Sequence, residues 1–322
     1  MEYVACNLCN SKNHRQIYSI PDSKYFRDET FSVVECCNCG LGFTNPRPTR
    51  DEIGRYYPST FYEYFDNERE FHDRRYLREA QMIERFAPRR REKRLLLDVG
   101  CANGDFPRVM RRRGWDVEGV EISEASKSIN DFIVYKEEFD TIPIQEARYD
   151  AVTAWAVIEH VHDPKAYFEK ARAVLKPGGV FVFLVTDFGS ISSRYLFGED
   201  VPRHLYFFTK PTVTKYLEQC GLKLSHVDYS NKIYGMRPSN WLHYYIRFRM
   251  RGRVMKWQDL PLSRPAFFAK HGLSRGLLAN IRYCMYNPLI VPERVLLPLL
   301  ERYQMLTGTY GIATYVAVKP RG

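Results

Sequence analysis

The chain has 322 residues, 45% of them hydrophobic and 15% aromatic, which excludes a disordered polypeptide and allows one large core plus a smaller unit. A net charge of +10 favours anionic partners, whether nucleic acid, an anionic membrane or a phosphorylated ligand. No run of about eighteen apolar residues occurs, and the start Met1-Glu2-Tyr3 lacks the form of a secretory signal, so a cytoplasmic protein without a membrane span is predicted.

The first segment, 1–48, carries two C-x2-C knuckles, Cys6-Asn7-Leu8-Cys9 and Cys36-Cys37-Asn38-Cys39, the spacing of a zinc ribbon. The ligands are predicted to be Cys6, Cys9, Cys36 and Cys39, with Cys37 a spare. Four thiolates close the coordination shell, which gives zinc a folding role and no chemistry. Cys101, Cys220 and Cys284 read as ordinary buried thiols. Asn45-Pro46-Arg47-Pro48 ends this unit with a stiff extended stretch.

A helical connector is predicted over 49–93. Thr49 and Glu52 have capping-box spacing, and Tyr76, Leu77, Ala80, Ile83 and Ala87 recur near the helical period until Pro88 stops them. Its many arginines, Arg75 and Arg78 among them, alternate with acids such as Glu79 and Glu84 and read as a solvated helix face.

From 94 to 230 apolar runs alternate with helices: LLLDVG, a helix through Val109, VEGVEI, a helix through Ser126, FIVY, YDAVTAWA, a helix through Phe168, GGVFVFLVT, the helix TVTKYLEQC and LKLSHVDY. Continuous apolar strands separated by helices define an α/β, Rossmann-like, doubly wound sheet. The terminal segment 310–322, with ATYVAVKP, supplies its last strand and brings the total to seven. Residues 231–309 are then an insertion, read as a helical cap.

The loop Asp98-Val99-Gly100-Cys101-Ala102-Asn103-Gly104-Asp105 follows the first strand, where such sheets bind nucleotide-like cofactors. Ala102 and Asp105 replace two glycines of a dinucleotide loop, and Asp105 would meet a pyrophosphate with a carboxylate. Asp98 instead suits a cationic group. S-adenosylmethionine has an ammonium, a sulfonium and no phosphate. Glu121, ending the second strand, is placed to accept the two ribose hydroxyls.

With these motifs the chain resembles the class I S-adenosylmethionine-dependent methyltransferases over Leu95 to Tyr229 and the final strand. That family implies a seven-stranded sheet with its last strand antiparallel. It also implies that Asp98, Gly100, Cys101 and Gly104 line the methionine end of the cofactor, that Glu121 and Ile122 flank the ribose, and that Trp155 packs beside the cofactor. Glu138 in YKEEFD is the candidate on the adenine side. The ending Glu159-His160 looks like the ubiquinone-biosynthesis type, and CGLGFTNPRPT resembles the entry to sugar methyltransferases that carry a zinc ribbon.

Methyl transfer needs a positioned acceptor and a base that titrates near neutrality, which favours histidine. His204 in PRHLYFFT and His160 are the candidates, and His162 reads as a surface residue. The expected acceptor is a small molecule or glycan, lipid-linked or polysaccharide-linked in one version. A ribosomal or transfer RNA base is the alternative, because a zinc ribbon and basic charge also resemble guanine methyltransferases; the amide-proline motif of many base methyltransferases is absent after the fourth strand.

Within the insertion, NWLHYYIRFRMRGRVMKW interleaves aromatics with Arg247, Arg249, Arg251, Arg253 and Lys256, which makes peripheral membrane contact an expectation. PERVLLPLLERYQML places Leu296, Leu299, Leu300 and Tyr303 on one stripe and reads as a packed helix kinked at Pro298.

Overall fold

The structure, a computed structural model, describes residues 1–22, 28–58, 69–89, 92–195, 200–229, 241–246, 250 and 261–321. The predicted contacts of Arg247, Arg249, Arg251, Arg253 and Lys256 lie outside the described residues.

Seven strands form the main sheet: β4 (Leu95–Val99), β5 (Asp116–Val120), β6 (Ile133–Tyr135), β7 (Tyr149–Trp155), β8 (Leu175–Thr186), β10 (Lys223–Asp228) and β11 (Ile312–Val318). Their spatial order is β10-β11-β8-β7-β4-β5-β6. β4 pairs parallel with β5 and β7, β5 with β6, and β7 with β8. β11 runs antiparallel to both β8 and β10. Every residue of β7 is buried, as a central strand covered on both faces requires.

One face carries α4 (Pro164–Val174) and α6 (Lys210–Cys220), whose Phe168 and Tyr216 stack at 5.1 Å above Phe181 and Phe183 of β8. The other carries α2 (Arg69–Phe86) and α3 (Asp105–Arg112), with Ala80, Ile83, Phe106 and Met110 packed on Leu96, Val117 and Val182. α1 (Arg50–Ile53) starts at Thr49 with the predicted capping box. The helix expected through Ser126 is a single 3₁₀ turn, Glu124–Ser128, because the segment has no apolar stripe long enough to hold a full helix on the sheet.

The N-terminal unit is a second sheet of β1 (His14–Pro21), β2 (Thr30–Cys36) and β3 (Gly42–Thr44), completed by β9 (Tyr206–Phe207) from the loop between β8 and α6. Gly42 lies opposite Phe207 and Phe43 opposite Tyr206. A Cβ on Gly42 would stand 2.9 Å from that of Phe207, so the close pairing needs a glycine there. Cys6, Leu8, Cys36 and Phe43 share one core with Leu205, Phe208 and Tyr216. The cysteine unit and the large sheet are thus packed as one body.

Arg203, fully buried at the base of β9, fixes this junction. Its guanidinium meets Asp22 at 2.8 Å and Asp200 at 2.6 Å and donates to the Tyr56 carbonyl at 3.2 Å. Asp22 is equally buried, so removing the cation would strand a carboxylate without its counter-charge. Arg203→Met is expected to lower the unfolding free energy by about 3–5 kcal/mol. Urea denaturation followed by tryptophan fluorescence measures this, and an unchanged midpoint would refute the structural role.

Candidate active site at the carboxyl edge of the sheet

The loop after β4 turns on two left-handed glycines, Gly100 (φ 75°) and Gly104 (φ 83°), the latter capping α3. At Gly100 any Cβ would come within 2.5 Å of Val157 Cγ2, in the loop after β7. Ala102 and Ala156 hold positive φ of 46° and 55°, strained values of the kind that cluster at functional sites. Glu121 holds this loop in place: its Oε2 accepts from the Ala102 N–H at 2.9 Å and its Oε1 from Ser123 N–H at 2.8 Å. Each oxygen retains a second lone pair for a ligand hydroxyl.

Asp98 lies beneath the loop, buried, and accepts from Thr153 Oγ1 at 2.6 Å. Burial pushes its carboxyl up to about 8, against the pull of the Thr153 hydrogen bond; Glu79 pushes it further up, Arg75 down. Arg75 and Glu79 form an ion pair at 2.7 Å with both side chains buried, which corrects their reading as a solvated face. They flank the Tyr76–Ala80–Ile83 stripe, so the helix that packs the stripe on the sheet takes them inside. Only i,i+4 spacing beside that stripe could have signalled this in the sequence.

Next to them is a small open cleft lined by Arg78, Glu79, Met82, Trp155, Asp228 and Thr314. Trp155, at the tip of β7, is buried edge-on to Phe106 at 5.3 Å. Its indole N–H and the Glu79 Oε2 have no hydrogen-bond partner among the described residues. Ile122 is exposed beside Glu121. Cys101 turns its thiol toward β5, so close that a Cβ on Gly119 would meet its Sγ at 2.6 Å; it borders the loop through its backbone, whose N–H bonds Val120 O at 3.1 Å. Glu138 is held by the Tyr167 hydroxyl at 2.6 Å and Arg50 at 3.3 Å, a tie between the loop after β6, α4 and α1.

The structure brings His160 and His204 together, with ring centroids 4.7 Å apart in an edge-on contact. His160 Nδ1 lies 2.9 Å from the Tyr57 hydroxyl and 3.1 Å from the Arg203 carbonyl oxygen. A carbonyl only accepts, so Nδ1 carries the hydrogen and Nε2 the lone pair. Leu205 and Tyr206 donate their backbone N–H groups to the Glu159 carbonyl, which seats the His204 loop on the loop after β7. The buried Glu159 carboxylate joins the two rings, and ligand atoms of all three residues lie within 4.8 Å of one another. This set can relay a proton or hold a divalent cation. Sequence reasoning passed over Glu159 although it immediately precedes His160, and it gave no sign of Tyr57. His162 is a correction: it is buried, its Nε2 donates to Pro48 O at 3.1 Å, and its carbonyl accepts from Arg47 and Tyr206, because the cysteine unit covers it.

The thiols of Cys6, Cys9, Cys36 and Cys39 form one group with all sulfurs within 4.8 Å. Cys6 and Cys39 Sγ are 3.4 Å apart, and Cys9 and Cys36 are 3.5 Å apart. A tetrahedral Zn²⁺ with Zn–S bonds of about 2.3 Å spaces its sulfurs by about 3.8 Å, so the donor set fits with small adjustment. Burial opposes ionisation of Cys6, Cys36 and Cys39 and pushes the Cys6 thiol up and that of Cys39 to about 11, whereas the N–H groups of Cys39 and Asn38 bring Cys36 down to about 7. Of these three only Cys36 approaches a thiolate near neutral pH without a metal, and the charge of Zn²⁺ would draw off the other protons. Cys37 is exposed and outside the group. Cys220 and Cys284 are only partly buried.

An open sheet of this strand order, with a glycine loop under acidic side chains at its carboxyl edge, defines the Rossmann-like class I methyltransferase fold. Residues 69–227 match the family model described as a methyltransferase domain. It is 28% identical over 185 residues to a ubiquinone biosynthesis O-methyltransferase of Acinetobacter baylyi, covering 49% of this chain and 77% of that one. With the enzyme of the same description from Acinetobacter baumannii it shares 35% over 99 residues, spanning 42% of that protein's length. Among solved structures, an S-adenosylmethionine-dependent methyltransferase from Archaeoglobus fulgidus aligns with a TM-score of 0.48 and 16% identity over 80% of this chain and 99% of that one.

Two outcomes are expected. Cys36→Ser or Cys39→Ser should lose the zinc found by metal analysis of the purified protein, whereas Cys37→Ser should keep it; equal zinc in all three would exclude the assignment. In the free protein Asp98 is neutral below pH about 8, and a ligand ammonium favours its ionised form, so binding releases a proton. Affinity for S-adenosylhomocysteine should therefore rise toward tenfold per pH unit below pH 8 and flatten above it. The same group takes stability from the unliganded fold as pH rises from the carboxylate range through 8. In calorimetry Asp98→Asn should bind weakly with no such slope; a slope equal to that of the wild type would contradict the role.

Proposed function

We propose that the chain is an S-adenosylmethionine-dependent methyltransferase acting on a hydroxyl of a small, carbohydrate-like or phenolic acceptor. The observation that carries this reading is the cluster of Glu159, His160 and His204 on the loop after β7 and the loop packed on it, a proton-handling group on the same loop whose Val157 lies against Gly100 of the glycine turn. The names of the relatives support oxygen as the methylated atom.

S-adenosylmethionine supplies, when bound, a methyl group on a sulfonium that is already a good leaving group. With that cofactor bound, Asp98 would hold the ammonium of its amino-acid tail, and Arg78 would offer a cation for its carboxylate. Glu121, which keeps the loop closed through Ala102, would receive the ribose hydroxyls, and the exposed Ile122 would offer an apolar cover beside them. Glu138 remains the proposed adenine-side acid, which requires its oxygens to serve a ligand as well as Tyr167.

His204 takes the proton of the acceptor hydroxyl. His160 is a positioning residue: its ring is fixed by Tyr57 and Arg203, and the edge of one imidazole orients the other. The buried Glu159 carboxylate stabilises the imidazolium that forms. Holding acceptor and donor in line supplies about 7–11 kcal/mol of the barrier, and the base contributes about 10²–10⁴-fold.

His204→Ala should lower kcat by at least about 100-fold and leave S-adenosylhomocysteine affinity within about twofold, measured with labelled donor and hydroxyl-bearing acceptors. Full turnover in this variant would remove His204 from the reaction.

A further inference from the structure

The cap between β10 and β11 has its own small core. Phe267, Phe268 and Ile290 cluster with Ala279 and Tyr283 where α8 (Arg264–Lys270), α9 (Leu277–Tyr286) and α10 (Ile290–Thr307) meet. α10 is anchored at the carboxyl edge of the large sheet: Gln304 Oε1 accepts from the backbone N–H of Ile191, just past the end of β8, at 2.8 Å. The outer faces of α9 and α10, by contrast, are apolar and exposed.

On α9, Leu277, Leu278, Ile281 and Met285 fall within one 100° arc of the helix and are 47–78% exposed. On α10, Val291, Val295, Leu299, Tyr303 and Leu306 recur every three or four residues and are 51–80% exposed. This corrects the expectation that Leu296, Leu299 and Tyr303 pack inward: Ile290, Glu293 and Gln304 make the buried side instead. Exposed apolar stripes of this length mark an interaction face.

The charges around it select the occupant. Between 261 and 310 stand six cations, Arg264, Lys270, Arg275, Arg282, Arg294 and Arg302, all exposed. The two acids of that span, Glu293 and Glu301, are buried and half-buried. A second copy of the chain seated face to face would oppose cation to cation. RNA would meet an aliphatic centre with a single tyrosine where bases need stacking surfaces. Exposed aliphatic stripes on helices that also carry exposed arginines match the boundary of a bilayer with anionic headgroups, where apolar side chains enter the acyl region and the cations meet phosphate. No described helix is long and apolar enough to cross a membrane, so the mode is docking on the surface.

We propose that the α9–α10 face docks the protein peripherally on bilayers containing anionic lipid, with the carboxyl edge of the sheet beside the membrane surface. The test is flotation of the full chain with phosphatidylcholine vesicles and with mixed phosphatidylcholine–phosphatidylglycerol vesicles. The wild type should float with the mixed vesicles, less so as salt rises. The combined variant Leu278→Ser, Met285→Ser, Leu299→Ser and Leu306→Ser should weaken flotation by at least about tenfold. Because these side chains are exposed, its circular dichroism and S-adenosylhomocysteine binding should match the wild type. Arg282→Glu with Arg294→Glu should abolish the preference for anionic lipid. Wild-type protein that floats with neither vesicle overturns the proposal, as does a serine variant that floats like the wild type. A wild-type dimer that the serine variant converts to monomer, without vesicle binding, assigns the face to a second copy and also overturns it. Failure here leaves cofactor binding intact, so it is distinguishable from failure of the methyltransferase reading.

Discussion

The pairing of β3 with β9, locked by the buried Arg203 between Asp22 and Asp200, is the constraint on which the candidate site depends. Without it the loop from β8 to α6 would have no reason to lie across the sheet edge. With it, His204 stands against His160, and Tyr57 from the connector just after α1 reaches His160. The four-cysteine unit therefore contributes to the site by geometry: it supplies three strands, the loop supplies the fourth, and the histidine one residue beyond Arg203 is placed by the seam between them.

The second organising feature is electrostatic. Asp98, Glu79 and Glu121 gather at one edge with Arg75 the buried cation among them in the described residues, and burial raises the Asp98 carboxyl to about 8. Carboxyl groups gathered in this way offer a pyrophosphate no counter-charge, while a bound cation draws the proton from Asp98, so the protein's overall positive charge and the local character of its site point in opposite directions. Much of the positive charge stands elsewhere, with five arginines and Lys270 exposed in the described part of the cap. Charge summed over the sequence thus says little about the site and more about the surface facing the proposed membrane.

The seven strands of the large sheet were legible because buried parallel strands must be continuous apolar runs, as in YDAVTAW and VFVFLVT. The paired knuckles and the glycine loop were legible because their chemistry fixes spacing. What the sequence did not disclose depends on contacts between distant segments. β9 is two residues long, too short for any periodicity, and is a strand only because Gly42 and Phe43 lie beside it. Arg75 and Glu79 look like surface charges until α2 is laid on the sheet, and His162 looks exposed until Pro48 covers it. The stripe on α10 was visible, but periodicity cannot say which face a helix turns to its neighbours.

The central claim is that this edge transfers a methyl group to a small acceptor. The most direct measurement is incubation of the purified protein with S-adenosylmethionine carrying a labelled methyl group and an extract separated into small-molecule, lipid, polysaccharide and RNA fractions. Label should enter a hydroxyl-bearing compound of the small-molecule, lipid or glycan fractions and should disappear with His204→Ala. Label entering RNA, or no transfer to any fraction by protein that binds S-adenosylhomocysteine, would contradict the account.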